Sequence, residues 1–462
     1  MVALAEVAEI SGGITKNAKR SALAIQRPYL SVANVHFNRI DINNLSNIGV
    51  NEAEIARAQL MPGDLMVVEG NGSLSQLGRV AIWHGQVSGC LHQNHLIKVR
   101  PKPTVKSKWL LYWLMSSAGR EAIEATASST SGLHTLSLAK VGSLPAPIAS
   151  LEEQEAAIAY IDLHLSRLDE AVTTLQGIQA KLKQARASIL KAAVEGRLVE
   201  TEAEMARRKG GYYEDAEELL ERVSLESSEN HLCQIKTRQG YALTTSGLDP
   251  TTLPDVPDGW AWCRIDAIGS VQLGRQRTPK DHSGPHMCPY MRVANVFEAR
   301  IDLADVKEMN FTPNEQEIYG LKYGDILLNE GQSPHLVGRP AMWRCEVSGA
   351  CFQNTLVRFS SSAAVLPAYA LLVFRAQLHA RRYMKIAKIT TNIAHLGAQR
   401  FAAVEFPLAP LAEQQRIVDE VDRRFSVLDQ VEATVTTSLA RCSKLRQAIL
   451  KQAFEGRLVP VA

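Results

Sequence analysis

The chain has little of what usually announces an enzyme, a secreted protein or a membrane protein. Its seven cysteines include no C-x-x-C pair, and an odd number scattered through so long a chain reads as reduced thiols of an intracellular protein rather than a disulfide framework. The longest apolar run, Ala363 to Phe374, is shorter than the roughly 20 residues that span a bilayer. The opening stretch carries Glu6 and Glu9 and no basic leader, so no secretory signal is expected. A G-x-x-x-x-G-K-[ST] phosphate loop is missing, and the glycines at 70–72 are not followed by the pattern of a dinucleotide fold. His92 and His95 lie three apart, and His282, His286 and Cys288 lie close together, but neither set offers a fourth ligand for a metal. Ser188 and Lys191 fall inside a helical pattern and do not read as a nucleophile pair. A cytoplasmic protein without catalysis, metal or membrane segment is the expectation.

An overall excess of one charge is missing too. The 51 basic and 48 acidic residues leave a net charge of only +3. The distribution is uneven. Residues 1–143 hold 14 basic against 9 acidic residues, and residues 255–405 hold 17 against 14, whereas 200–254 hold 6 against 11. Positive charge sits in two segments and negative charge in the stretch between them, a pattern compatible with nucleic-acid contact by the two basic segments.

What the chain does have is a repeat. YLSVANVH at 29–36 meets YMRVANVF at 290–297, with five identities in eight. At the same offset Gly63-Asp64 meets Gly324-Asp325, and Glu69-Gly70 meets Glu330-Gly331; one residue later in register, Gly78-Arg79 meets Gly338-Arg339 and Gln93-Asn94 meets Gln353-Asn354. SILKAAVEGRLV at 188–199 meets AILKQAFEGRLV at 448–459, with nine identities in twelve. Leu4, Val7, Ile10 and Gly13 line up with Ile265, Ile268, Val271 and Gly274, and the second copy alone carries the Gly259-Trp260 segment ahead of them. An ordered series of matches at a nearly fixed offset is a duplication.

Each copy begins with short apolar runs broken by Gly, Asn and Pro, which read as strands and turns, with a helix near 107–117 and its counterpart near 367–376. The period then changes. Ser150 and Glu153 fit a capping box. After it Ile161, Leu168, Leu175, Leu182 and Ile189 recur every seven residues, as do Val421, Leu428, Val435, Cys442 and Ile449. That is a coiled-coil seam, with polar Gln179 and Glu432 intruding to fix register, and Gly196 and Gly456 are placed to end the two helices. The partner that buries such a seam most simply is its own duplicate, paired antiparallel; parallel pairing and pairing with another protein also fit the spacing. The expected organisation is a first globular domain (1–143), a first long helix (144–199), an acidic linker with a short helix (200–254), a second globular domain (255–405) and a second long helix (406–462). The fold class is α+β: two mixed α/β domains joined by two long helices, with a pseudo-two-fold repeat.

These residues carry a resemblance. The duplicated Val-Ala-Asn blocks after Tyr29 and Tyr290, the turns at Asp64 and Asp325, the Gln-Asn pairs, the proline-led helix starts ending in Gln154 and Gln414, and the duplicated EGRLV ends make the chain resemble, over essentially its whole length, the specificity subunit of type I restriction–modification systems. The resemblance implies two target-recognition domains, each reading one half of a split double-stranded DNA site, and helices that set the spacing. It implies docking of two copies of an adenine-N6 DNA methyltransferase subunit and a restriction motor and nuclease subunit. It also implies that S-adenosylmethionine, ATP and Mg belong to those partners and that this chain holds no cofactor; the chain has neither the acidic-or-Asn-Pro-Pro-aromatic loop nor the glycine-rich turn of an adenine methyltransferase. The alternative of another class is a coiled-coil scaffold whose globular domains bind proteins, separated from the first by DNA binding that falls steeply with salt yet keeps a sequence preference.

Two readers of different half-sites should share scaffold and differ where bases are read. The shared Asn34/Asn295, Asp64/Asp325 and Glu69/Glu330 therefore read as framework. Arg79 and Arg339 either hold a phosphate or pair with Glu69 and Glu330. The Gln-Asn pairs could bind adenine or serve the fold. The copies differ in three polar, turn-rich loops: 15–20 against 275–280, 71–77 against 332–337, and 127–134 against 388–395. Candidate DNA contacts are Lys16, Lys19, Arg20, Asn71, Ser73, Gln76 and Arg79 in the first copy, and Arg275, Arg277, Lys280, Gln332, His335 and Arg339 in the second.

Overall fold

The apolar segments fold as sheets, the two four-stranded ones antiparallel throughout and two of the smaller ones mixed. The computed structural model describes residues 1–130, 132–229, 248, 253–390 and 392–455. In the first half a four-stranded sheet runs in the order Ala8–Gly12, Leu96–Pro101, Leu65–Val68, Val80–Ile82. In the second the order is Gly269–Leu273, Leu356–Ser361, Ile326–Asn329, Pro340–Met342. The strands Leu65–Val68 and Ile326–Asn329 are buried on both faces, because each sheet is covered on both sides. One side packs on the helix Ser107–Met115 or Pro367–His379; the other packs on Trp83 and Leu30, or on Trp343 and Met291. A smaller sheet, Leu91–His92 with Ile25–Leu30 and Ser46–Val50, adjoins the first; Lys307–Asn310, Met287–Met291 and Cys351–Phe352 form its counterpart.

The shared polar residues hold this frame. Asn34 is buried, accepts from the Ser31 amide and donates to the Asp41 carbonyl; Asn295 does the same with Arg292 and Asp302. Asp64 caps its turn through the Met61 amide and takes two bonds from Arg100, both 2.7 Å. Asp325 caps through Lys322 and accepts from Ser360. Lys98 and Arg358, at matching positions, donate to the carbonyls that end the short helices Glu52–Ala58 and Pro313–Tyr319. Backbone groups that would otherwise be buried unpaired are satisfied in this way.

The seven-residue periodicity becomes two helices of 44 residues each, Leu151–Val194 and Leu411–Phe454. The first starts as a capping box, the Ser150 hydroxyl accepting from the Glu153 amide and Glu153 accepting from the Ser150 amide. The Gln that follows has a separate task. Gln154 donates to the carbonyls of Thr104 and Ala149 and accepts from the Lys106 amide; Gln414 repeats this with Ala364, Ala409 and Leu366. This amide locks each long helix to its globular part. Gly196 ends the first helix at φ +64°, and the Arg197 amide returns to the Ala192 carbonyl at 2.9 Å, the six-to-one bond of a Schellman cap. Gly456 lies outside the described residues.

The chain divides into two compact units. One is Met1–Ile178 with the second long helix from Thr434 onward; the other is Gln179–Ala433. Each unit thus contains one sheet system, the early part of one long helix and the late part of the other. In the first unit Arg446 donates to Asp169, and Phe454 lies on Trp109 and Trp113, with ring centroids 4.6 and 5.3 Å apart. In the second, Arg186 is bonded to Asp429 at 2.6 Å and Glu432 at 2.7 Å, so the acidic seam position finds a cation.

The acidic segment after residue 199 is packed where it is described. Thr201 caps the helix Glu202–Lys209. The helix Ala216–Glu229 turns Ala216, Leu219 and Val223 into the second unit's core beside Leu190 and Trp260. Glu413, fully buried, accepts from the Glu202 amide and the Trp260 indole, both at 2.9 Å. Three apolar residues at helical spacing make the helix Ala216–Glu229 part of the core despite the segment's acidic charge. Among the described residues no helix is long and apolar enough to cross a membrane.

Candidate nucleic-acid interface

The three loops in which the copies differ lie along one continuous run of backbone in each unit. In the first, Ile14 bridges Gln93, and the Asn94 amide donates to the Ile14 carbonyl at 3.0 Å. The Glu69 amide donates to the His95 carbonyl at 3.0 Å, so the Gln-Asn turn lies between loop 15–20 and loop 71–77. Strand Gly70–Asn71 then pairs with Leu133–Thr135, which pairs with Ser128–Thr130. The second unit repeats every link: Arg275 with Gln353, Glu330 with Thr355, Gly331–Gln332 with Ile393–His395, and that strand with Lys388–Thr390. Gly13 and Gly274 make the first link possible. A Cβ there would stand 2.3 Å from the His92 or the Gln353 carbonyl oxygen, closer than any side chain can sit.

The Gln-Asn pairs are therefore the hinge of this run through their backbone. The two histidines of the first copy part company. His92 is fully buried, its Nδ1 on the Ala58 carbonyl at 3.0 Å, and burial pushes its pKa down to about 4. His95 is exposed and bonded to Glu69 at 3.1 Å. Among the described residues no group of three or more His, Cys, Asp or Glu is arranged to hold a metal.

Lys16, Lys19, Ser73, Arg277, Lys280 and His335 are exposed. Arg277 donates to His282 at 2.9 Å. Asn71 and Gln332 occupy matching places in the small three-stranded sheets, and Asn71 accepts from the Ser73 amide. Gln76 ends a short 3-10 turn, Leu74–Gln76. Arg20 and Arg275 are held inside the fold. Arg20 grips both oxygens of Glu54, at 2.7 and 3.1 Å; Arg275 bonds Glu315 at 2.6 Å and Asp281 at 3.1 Å and lies over Phe311. Arg79 and Arg339 do not take the glutamates expected as their alternative partners. Arg79 donates to the Val32 carbonyl at 3.4 Å and Arg339 to the Val296 carbonyl at 2.6 Å, while Glu69 and Glu330 accept from His95 and His395. The reason is placement: each arginine leads into the strand beside the Val-Ala-Asn turn, and each glutamate immediately precedes the strand that meets the hairpin.

The hairpins themselves were read from sequence only as polar loops, and none of their residues was singled out. Cross-strand partners share a face, so Ser129, His134 and Asn71 form one row in the first unit, and Ile389, Ala394 and Gln332 form the matching row in the second. The two rows differ at every position. The signal was present as the alternation around Gly132, which adopts φ +81°. The third strand, some 60 residues earlier, leaves no local trace.

No model of a protein family matches the chain. The chain is 21% identical over 433 residues to the "Type I restriction enzyme EcoKI specificity subunit" of Escherichia coli strain K12, covering 93% of this chain and 82% of that protein. It is 22% identical over 455 residues to the StySPI specificity subunit of Salmonella potsdam, covering 96% and 86%. A structure solved in work on complex assembly and conformational transition of the type I R-M system matches with TM-score 0.62 at 15% identity, over 98% of this chain and 96% of the other. The HsdS subunit of Thermoanaerobacter tengcongensis matches with TM-score 0.50 at 16% identity over the same shares. Relatives of one kind match along most of its length and the fold of both structures is shared, so the chain is similar to the specificity subunits of type I restriction–modification systems.

Proposed function

We propose that each unit reads one half of a split double-stranded DNA site through its run of loops and small sheet, and that the chain is an internal duplication built for that purpose. The observation that carries this reading is the pair of edges: the same backbone links in the same order, with different accessible side chains, Ser129, His134 and Asn71 in one and Ile389 and Gln332 in the other, where Ala394 between them is buried. A common frame with different chemistry is what two different half-sites require. Lys16, Lys19, Arg277 and Lys280 supply phosphate or base contacts, joined by Asn71, Ser73, Gln76, Gln332 and His335; Arg20, Arg79, Arg275 and Arg339 act through the shape of the loops they hold.

The two long helices pair antiparallel as a coiled coil and set the distance between half-sites. The reading is supported by Asp169 meeting Arg446 and by Arg186 meeting Asp429 and Glu432: in each unit the earlier part of one helix faces the later part of the other. On the helices two copies of an adenine-N6 methyltransferase subunit dock, with a motor and nuclease subunit in the restriction complex. S-adenosylmethionine, ATP and Mg are bound by those partners, and the assembly works in the cytoplasm.

Mapping N6-methyladenine in a host with and without this gene tests the proposal. One split methylated motif disappears when the gene is removed. An unchanged methylation pattern, with the methyltransferase subunit present and active, overturns it.

A further inference from the structure

The hairpin of each unit carries an apolar side chain where a polar one would be expected. Leu133 is 47% exposed and Ile393 is 50% exposed. They stand at the same register: Leu133 opposite Thr130 at the head of the strand that pairs with Gly70–Asn71, Ile393 opposite Thr390 at the head of the strand that pairs with Gly331–Gln332. Single exposed apolar residues are ordinary on a protein surface. Recurrence at one register, opposite a threonine in both units and on the other face of the strand from the unlike row, is not.

The surroundings say what kind of surface covers them. In the second unit Ala394 turns into the core, so Ile393, its neighbour in the strand, faces outward. On that face the third strand presents only a glycine, Gly70 or Gly331, so nothing large screens the aliphatic group. A cation is fixed beside each hairpin by the following short helix: Lys140 donates to Ser128 at 2.6 Å, and Arg400 to the His395 carbonyl at 2.8 Å. Each face thus combines an apolar tip, a polar neighbour two residues along the strand, Thr135 or His395, and an anchored positive charge, the mixture suited to a polyanion that also offers an apolar feature. A two-stranded β-ribbon fits the major groove of B-DNA, and the one apolar group on the base edges there is the thymine 5-methyl.

We propose that Leu133 and Ile393 each contact the 5-methyl group of a thymine in the major groove, one thymine in each half-site. The inference rests on the DNA-reading function proposed above. It explains why this position is shared while the neighbouring row differs. If both half-sites carry an adenine to be N6-methylated, an A·T pair is the feature that two otherwise unlike half-sites have in common.

The test uses the full chain assembled with its methyltransferase subunits and a duplex carrying the motif found by methylation mapping. Each thymine is replaced in turn by deoxyuridine, which keeps the base pair and removes the methyl group, and binding is measured by fluorescence anisotropy. In the wild type, one thymine per half-site is sensitive, and its replacement weakens binding roughly fourfold, the value of one buried methyl. Leu133→Ala abolishes the sensitivity in the first half-site only, and Ile393→Ala in the second only. Both side chains are exposed, so the variants fold, and Leu133→Ile keeps the discrimination. Uniform insensitivity to deoxyuridine, or a sensitivity that survives both alanine variants, overturns the inference while leaving sequence-specific binding intact. Equal binding to the motif and to a scrambled duplex overturns the DNA-reading function itself, and this inference with it.

Discussion

Arg20 and Arg275 show how far residue-level reading reaches. Both were singled out as cations in loops that differ between the copies, and both spend their charge inside the fold. The acid they meet is the shared feature: Glu54 and Glu315 stand at the third position of matching short helices, each in a capping box, with Asn51 or Thr312. Their arginine comes from different places, the end of one loop and the start of the other, so a residue-by-residue comparison of the copies sees two unrelated cations where each unit has an equivalent ion pair. Arg20's hydrogen bonds hold the Glu54 carboxyl down at about 2, against an ordinary 4.5. A carboxyl lowered on folding contributes stability that is complete above the ordinary value and is lost as pH falls through the folded one. Glu54→Gln should therefore lower the urea midpoint at pH 7, and the gap between variant and wild type should close as pH falls from about 4.5 toward 2. A gap of constant size across that window would mean that the carboxylate charge contributes nothing.

At the scale of elements the sequence was most legible where a pattern is local and long. The seven-residue repeats, the Ser150–Glu153 box and Gly196 all lie where they were read. It was least legible where partners are remote: the strand Gly70–Asn71 is too short to announce itself and exists because a hairpin some 60 residues later pairs with it. In the acidic segment a count of charge says little about packing, which Ala216, Leu219 and Val223 decide. Two helix glycines separate local from tertiary demands. Gly177 lies within the first long helix with no atom within 4 Å of where a Cβ would stand, so Gly177→Ala should stabilise the chain by up to about 1 kcal/mol through helix propensity alone. Gly196 combines φ +64° with a Cβ position 2.3 Å from the rigid Pro257 ring. Gly196→Ala should cost at least about 1 kcal/mol for the left-handed conformation, with the displaced ring adding to it. Urea midpoints of the two variants should move in opposite directions from wild type, and a shift of the same sign in both would refute this account of the cap.

For the whole molecule, the repeat makes a prediction that neither copy could make alone. In the proposed function, reading and spacing fall to different parts: half-site identity to the loops and small sheets, the relation between half-sites to the long helices. Within each unit the helices meet through ion pairs of opposite polarity along the chain, Asp169 with Arg446 and Arg186 with Asp429. Arg186→Glu puts a third acid beside Asp429 and Glu432, and like charges at such contacts destabilise by a few tenths of a kcal/mol or more. Adding Asp429→Arg restores an attractive pair only if these two residues face each other as antiparallel pairing requires. The double variant should regain the lost urea midpoint, and its methylated motif should be unchanged in both halves and in spacing, because no reading residue is touched. Exchanging residues 70–77 together with 128–135 for those of a type I specificity subunit should do the reverse: the first half of the methylated motif changes, while the second half and the spacing stay. These three strands and their loops must be moved together, since Asn71 and His134 belong to one row, and moving either segment alone leaves a mixed row with neither specificity. If exchanging the first unit's sheet alters the second half-site, then the two units do not read independently, and the duplication is a matter of architecture rather than of address.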